Sequence, residues 1–420
     1  MSVLFCVYLA LLILRPQEFV PGLVGAPILQ ILLWTCLALW LVARDKRASL
    51  PQFVLLGLFT IFVPLTVGMG GWWGGIPGAL RQIFPVVGIF VVASMAARDL
   101  RALQAYMWTL LLCSCLLVYH SAVQLKIGTG PLTGIRSVGG RPYYTGILSD
   151  PNDLGQLFTI TLAFSIYLLA VSTRKLTRLC LWGSVAWLAY GIFLTDSRGA
   201  LLASLAVLGL EAWRRYGKLA VIVGATLSLP ALLAVTRLSQ LNALEQSAND
   251  RVQAWYAGFQ MLRSNPVFGV GFNNFADRYA LTAHNSIVLP MAELGLPGLA
   301  LWLGFIWYSI RMIWWVAYGP HAKSAEANSS HNEHEITREV AAGRGLLLCC
   351  VGFGISAFFL SQSYKAPLFL LCGFAAARFV AASRILPNPP IYRLLPELPR
   401  LGALTLICVV GLYLIVRLTL

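Results

Sequence analysis

The sequence predicts an all-α polytopic membrane protein, and three observations carry that reading. Of 420 residues, 58% are hydrophobic and 11% charged, with a mean hydropathy of +0.75. Soluble domains carry about 25% charged residues. Apolar runs close to the ~20 residues that cross a bilayer recur along the whole chain. The connections between them alternate between Lys/Arg-rich and Lys-poor, as expected of a multi-pass topology. The N-terminal MSVLFCVYLALLIL has no basic leader and no small-residue cleavage site, so it reads as a first, short span. The organisation expected is one integral membrane domain over 1–420.

The runs fall at 2–14, 22–43, 51–69, 79–97, 103–125, 151–171, 179–194, 200–212, 219–236, 286–310, 345–363, 366–383 and 401–419. The first and eighth are short, which makes the expected total about 12 or 13 spans. RDKRAS (44–49), RDLR (98–101), STRKLTR (172–178) and WRRYGK (213–218) are short and basic, and belong in the cytoplasm. The N-terminus, a loop over 319–344 and the Pro-rich 384–400 follow them there. All nine cysteines lie inside apolar runs, with no CxxC spacing. They read as small buried hydrophobes.

The opposite face receives 15–22, 70–78, 126–150, 195–199 and the longest connection, 237–283, expected to cap an outer site. Its positive charge is almost all arginine: Arg15, Arg81, Arg136, Arg141, Arg198, Arg237, Arg251, Arg263 and Arg278. The net charge of +15 is therefore more than topology. Guanidinium groups pair bidentately with phosphate oxygens, so the outer set points to an anionic ligand and not to nucleic acid.

Within the long connection, Val252, Trp255, Tyr256, Phe259 and Leu262 repeat at helical spacing behind Asp250, a good N-cap. The segment is too short and polar to span, and reads as an amphipathic helix on the outer leaflet. SNPVFGVG then ends it. Arg198, in TDSRGALLASL, stands where a helix should open, so its guanidinium and the helix N-terminus serve one place, a phosphate site in principle. SDPNDLG (149–155) reads as another helix start, with Asp150 or Asn152 capping around Pro151.

Of five histidines, His321, His331 and His334 fall in the cytoplasmic loop, and HNEHE there lacks supporting ligands for a metal. His120 reads as an interfacial histidine. His284, in AHNSIVLPMAELGLPG, precedes a helix opening at Asn285 or Ser286. A helix N-terminus disfavours the imidazolium, and a neutral imidazole can take a proton from a hydroxyl. Glu293 lies about half a turn out of phase with His284. It is read as ending that helix segment on backbone hydrogen bonds, and as an ionisable residue at membrane depth it stays a functional candidate. Walker A, G-x-S-x-G, H-E-x-x-H and an outer Asp-x-Asp pair are all absent.

Three segments together resemble the O-antigen ligase and polymerase superfamily: TDSRGALLA (195–203), NDRVQAWYAGFQMLRSNPVFGVGFNNF (249–275) and AHNSIVLPMAELGLPGLAL (283–301). They supply, in order, an SRG-type motif, R-x-x-x-W, N-P-x-x-G-x-G, and H-N followed by E-L-G-x-x-G. The resemblance implies a GT-C-type glycosyltransferase of the bacterial inner membrane, its active site facing the periplasm. Such enzymes take a glycan from undecaprenyl diphosphate and pass it to a hydroxyl, using no metal or nucleotide cofactor. The resemblance also implies that Arg198 and Arg251 bind the diphosphate and that His284 activates the acceptor. Asn285, Glu293, Arg136, Arg141 and Arg278 are the supporting candidates. A ligase acting on lipid A core is the first expectation. A polymerase or a protein O-oligosaccharyltransferase of the same superfamily is the alternative within it. A lipid-linked glycan flippase is the alternative of another class; it would place ionisable residues near mid-membrane, in repeated halves.

Overall fold

The computed structural model describes residues 1–43, 50–219, 222, 226, 241–320 and 331–419; at 241–248 and 331–333 it describes the backbone alone. Among the described residues the helices named, in chain order, are α1 (Ser2–Leu14), α2 (Ile28–Val42), α3 (Pro51–Met69), α4 (Ile76–Ala96), α5 (Leu100–Ile127), α6 (Pro151–Val171), α7 (Lys175–Leu194), α8 (Arg198–Tyr216), α9 (Leu241–Ser264), α10 (Phe275–Arg278), α11 (Val288–Tyr318), α12 (His331–Ala357), α13 (Ala366–Ala382) and α14 (Leu398–Thr419). Among the described residues, eight segments are long and apolar enough to cross a membrane, and α1, α2 and α13 are shorter apolar helices. The protein is an all-α, multi-pass membrane protein. Most of the ninth apolar run, the RDKRAS connection, Arg237 and His321 lie outside the described residues.

Local chemistry explains the helix ends. Asp99 caps α5, accepting from the Arg101 N–H at 3.2 Å, and Gly128 closes it in the left-handed region. Asp150 caps α6, with Pro151 at the first helical position; Ser197 caps α8. α6 is buried along nearly its whole length, whereas α7 and α14 are largely exposed. Around α6 pack α5, α7, α8 and α12; a second group of α3, α4, α11 and α13 joins it through α12. Small residues allow close approach, as in membrane bundles generally. A Cβ at Gly155 of α6 would meet Ala200 and Ser197 of α8.

Several boundaries differ from expectation. α9 begins at Leu241, so Asp250 lies inside the helix and does not cap it. The helical face expected to rest on lipid packs on protein instead. Trp255 meets Phe358 edge-on at 5.5 Å, and Phe259 meets Tyr413 of α14 at 5.6 Å. Tyr256 is the exception, exposed on the far side. α12 begins at His331, inside the stretch expected as a loop, because EITREVAA is itself a good helix former. Of the cysteines, Cys180 is exposed on α7 rather than buried.

Candidate functional site

α1, α3, α5, α7 and α12 all end, and α2, α4, α6, α8, α11 and α13 all begin, at one end of the bundle. The connections at that end build the site. It is anchored by the segment between α12 and α13. The Asn285 side chain accepts from the Ile287 N–H at 2.8 Å and the Val288 N–H at 3.0 Å, and donates to the Phe358 carbonyl at 3.0 Å. It therefore opens α11 and ties it to α12. Ser286 Oγ donates to the Leu360 carbonyl at 2.6 Å and accepts from the Gln362 N–H at 2.9 Å. Ser361 Oγ accepts the His284 N–H at 3.1 Å and shares a 2.8 Å hydrogen bond with Thr282 Oγ1. Between these ties His284 sits in the left-handed region, with φ 47°. Such a conformation costs about 1–3 kcal/mol and persists only where its surroundings over-determine it.

The first turn of α6 supplies the next layer. Asp150 Oδ1 accepts from the Asn152 N–H at 2.7 Å and from its side-chain amide at 2.8 Å. Asn152 Oδ1 in turn accepts from Arg141 at 3.0 Å, and Arg141 Nε donates to the Thr195 carbonyl at 3.0 Å. Arg141 thus bridges the start of α6 to the α7–α8 turn, where Arg198 stands exposed at the first position of α8. Arg251 arrives from α9. Trp255, one turn on and on the same face, is buried against Phe358. It holds that face over the segment that carries His284.

These groups share one electrostatic neighbourhood. The Arg251 pKa is lowered first by burial and then by the nearby charges of Arg198 and Arg141, with Asp150 opposing. His284 is lowered by burial and then by Arg251, again opposed by Asp150. Burial and Arg251 thus both favour the neutral imidazole expected for His284. The arrangement presents three guanidinium groups, those of Arg141 and Arg251 half-buried and that of Arg198 exposed, near an imidazole whose neutral form is favoured. Guanidinium groups bind phosphate oxygens, and a neutral imidazole accepts a proton near neutral pH.

The other candidates separate from this group. Arg136 and Arg278 are exposed, and neither is among the charges that act on His284 or Arg251. Arg136 forms an isolated antiparallel bridge with Thr129. Glu293 is buried, and its Oε1 accepts the Phe275 N–H at 3.1 Å. It holds the turn that follows N-P-x-x-G-x-G. That motif and E-L-G-x-x-G interlock through backbone. The Val270 N–H donates to the Ala292 carbonyl at 2.9 Å, Gly271 to Glu293 at 3.0 Å, and Leu296 to Pro266 at 2.9 Å. Gly295 breaks α11 at φ 66°, and a Cβ there would meet the backbone of Pro266 and Val267. His120 lies buried beneath the α5–α6 connection, edge-on to Tyr144 at 5.0 Å. Asp150 and Asn152, expected only as caps, and Ser361, which no motif marks, are the site residues that sequence reasoning missed.

A helical bundle with a cationic cluster at one end defines an integral membrane protein. Residues 183–303 match the family model described as O-antigen ligase. The matched stretch contains Arg198, Arg251 and His284. No curated protein matches the chain.

Proposed function

We propose that the protein is an O-antigen ligase-like glycosyltransferase of the bacterial inner membrane, acting at the periplasmic face. It moves a glycan from undecaprenyl diphosphate to a hydroxyl acceptor, lipid A core being the first choice. The observation that carries this proposal is the clustering of Arg141, Arg198, His284 and Asp150 about Arg251, with Arg141 joined to Asp150 through Asn152. His284 takes the proton of the acceptor hydroxyl. The oxygen attacks the anomeric carbon, the bond from that carbon to the diphosphate oxygen breaks, and the carrier leaves as undecaprenyl diphosphate. Arg198 and Arg251 stabilise the charge that develops on the leaving group, a type of interaction commonly worth a few kcal/mol of barrier. The chemistry needs no metal, because the guanidinium groups carry that charge.

The flippase alternative has less support, because the cavity of about 1060 Å³ is lined at the site end by the α1–α2 turn, Phe272, Asn273, Thr282 and Ser361 and extends along α1, α2 and α4 only as far as Tyr8, Trp34 and Ile89. Deletion followed by analysis of lipopolysaccharide and surface glycoproteins separates the remaining alternatives. Loss of the whole polymer from lipopolysaccharide is the outcome expected of a ligase. A core carrying a single repeat unit would identify a polymerase, and loss confined to glycoproteins a protein-directed transferase.

A further inference from the structure

The α4–α5 turn, the start of α12 and the end of α13 meet at the end of the bundle opposite His284 and enclose a pocket of about 340 Å³. Arg98, Arg101, Arg338 and Arg384 line it, together with Asp99, Glu335 and Glu339. The positive-inside rule accounts for basic residues at this end. It does not account for arginines from three separate elements sharing one pocket. Among the described lining residues the arginines outnumber the carboxylates, and Glu339 is already paired with Arg378, which stands outside the lining. Positive charge is therefore in excess. Asp99 is committed as the cap of α5, accepting the Arg101 N–H at 3.2 Å. Leu100 also lines the pocket, so the pocket meets the positive end of that helix. Guanidinium groups at such a place suit phosphate oxygens, which they bind bidentately.

Glu339 is an independent observation. It is 3% exposed and lines the pocket. One of its oxygens pairs with Arg378, while Oε2 is buried with no hydrogen-bond partner among the described residues. An unsatisfied buried oxygen is costly, and more so on a charged group. A bare anion cannot relieve it, because negative oxygens repel. A ligand with a donor of its own can. The pocket thus asks for two things in one molecule: phosphate oxygens for the arginines and an O–H or N–H for Glu339 Oε2. A phosphate that keeps a proton has both. So has a phospholipid headgroup whose phosphate carries glycerol or ethanolamine.

We propose that this pocket is a second phosphate-binding site, which takes a phosphate bearing its own hydrogen-bond donor, free or as part of a phospholipid headgroup. Arg98, Arg101, Arg338 and Arg384 hold the phosphate oxygens, and Glu339 Oε2 accepts from the donor. The site is independent of glycosyl transfer, since none of its residues belongs to the group around Arg251 and His284.

The test uses the full chain carrying Arg198→Gln and Arg251→Gln, so that the arginines near His284 do not contribute. It is compared with the same chain carrying Arg101→Gln and Arg338→Gln as well. Both added positions are exposed, so the fold should be kept, and thermal melting checks that. In one arm, inorganic phosphate is titrated by calorimetry into lipid-free protein, with sulfate, which has no proton to donate near neutral pH, as the reference. In the other, protein from vesicles of phosphatidylglycerol and phosphatidylcholine is read by native mass spectrometry for the lipid that stays bound. Phosphatidylcholine is the reference there, because its headgroup has no donor. Phosphate binding in preference to sulfate supports the proposal with a free phosphate as ligand. Retention of phosphatidylglycerol in preference to phosphatidylcholine supports it with a lipid as ligand. In either arm the two added substitutions should weaken binding about tenfold or more. Binding of neither probe, equal binding of probe and reference, or binding that the added substitutions leave unchanged overturns the proposal.

Discussion

At the scale of single residues, His284 and the arginines make separable predictions. His284→Ala should lower transfer at least ~100-fold, the size of effect typical of a lost general base, while undecaprenyl diphosphate still binds. Full transfer by the purified variant would remove the general-base role. Arg198→Ala and Arg251→Ala should weaken donor binding as well as turnover, and Arg251→Lys should not restore them, because a lysine cannot make the bidentate contact. The pH profile carries a sign. Burial and Arg251 lower the His284 pKa, so the neutral base persists below the usual ~6.5 of histidine. Activity is then lost only as pH falls through that lowered value. Asp150 pulls the other way. Asp150→Asn, which keeps a capping side chain, should move the acid limb of kcat/KM to lower pH. Arg251→Gln should move it higher. A limb that stays in place in both variants would show that His284 is not the group that titrates.

At the scale of elements, the site depends on how α11 begins and where it breaks. Asn285 satisfies two N–H groups at the head of α11 and holds α12 through Phe358. Asn285→Ala should cost about 1–2 kcal/mol of stability, seen as a lower melting temperature in detergent, with a further loss of kcat as His284 loses its seat. Glu293 belongs to the same scale. It serves as an acceptor for the Phe275 N–H rather than as a partner of His284. Glu293→Gln keeps an oxygen in that place and should leave most transfer intact. Glu293→Ala leaves a buried N–H unsatisfied and should cost about 1–3 kcal/mol, read by thermal melting. A glutamine variant as inactive as His284→Ala would instead give Glu293 a chemical role. Seen this way, N-P-x-x-G-x-G and E-L-G-x-x-G are a single backbone joint. Gly269 and Gly295 both hold positive φ there, where a Cβ would strike the opposite strand of the joint.

Across the whole molecule, the two ends of the bundle do different work. The site end gathers polar loops around the arginines. At the far end Arg378 of α13 is fully buried, pairing with Glu339 of α12 and donating to the Ala97 carbonyl at 3.2 Å and the Arg98 carbonyl at 2.5 Å. This pair ties α4, α12 and α13 together far from His284 in the bundle. Arg378→Ala would strand a buried carboxylate, and such losses typically cost about 3–5 kcal/mol. Joint replacement by Arg378→Met and Glu339→Leu should recover much of that stability. Thermal melting of the single and double variants checks it; equal losses in both would show that Glu339 is not the group left in distress. Donor affinity of folded Arg378→Ala should be unchanged, because the contacts of Arg378 among the described residues are to Ala97, Arg98 and Glu339 and not to the arginine site.

The sequence by itself determined what is local. Helix positions follow from runs of apolar residues, because a membrane helix satisfies its own backbone. The starts of α6 and α8 follow from Asp150–Pro151 and Ser197, because a cap acts within one turn. The order of the motifs at 195–203, 249–275 and 283–301 marked the segment that the O-antigen ligase model matches. Tertiary structure alone decided which residues meet. Arg141 and Asp150 come from the α5–α6 connection, Arg198 from the head of α8, Arg251 from α9 and His284 from the turn before α11. The bond that seats His284 reaches Ser361, 77 residues away, in a stretch with no periodicity or motif to announce it. Likewise α9 shows an apolar face in the sequence, but whether lipid or protein covers that face depends on the neighbours, and here α11 and α14 cover it. Periodicity and capping are properties of one turn of chain. Proximity is a property of the packed bundle, and it separates Arg136 and Arg278 from Arg141 and Arg198, whose charges act on Arg251.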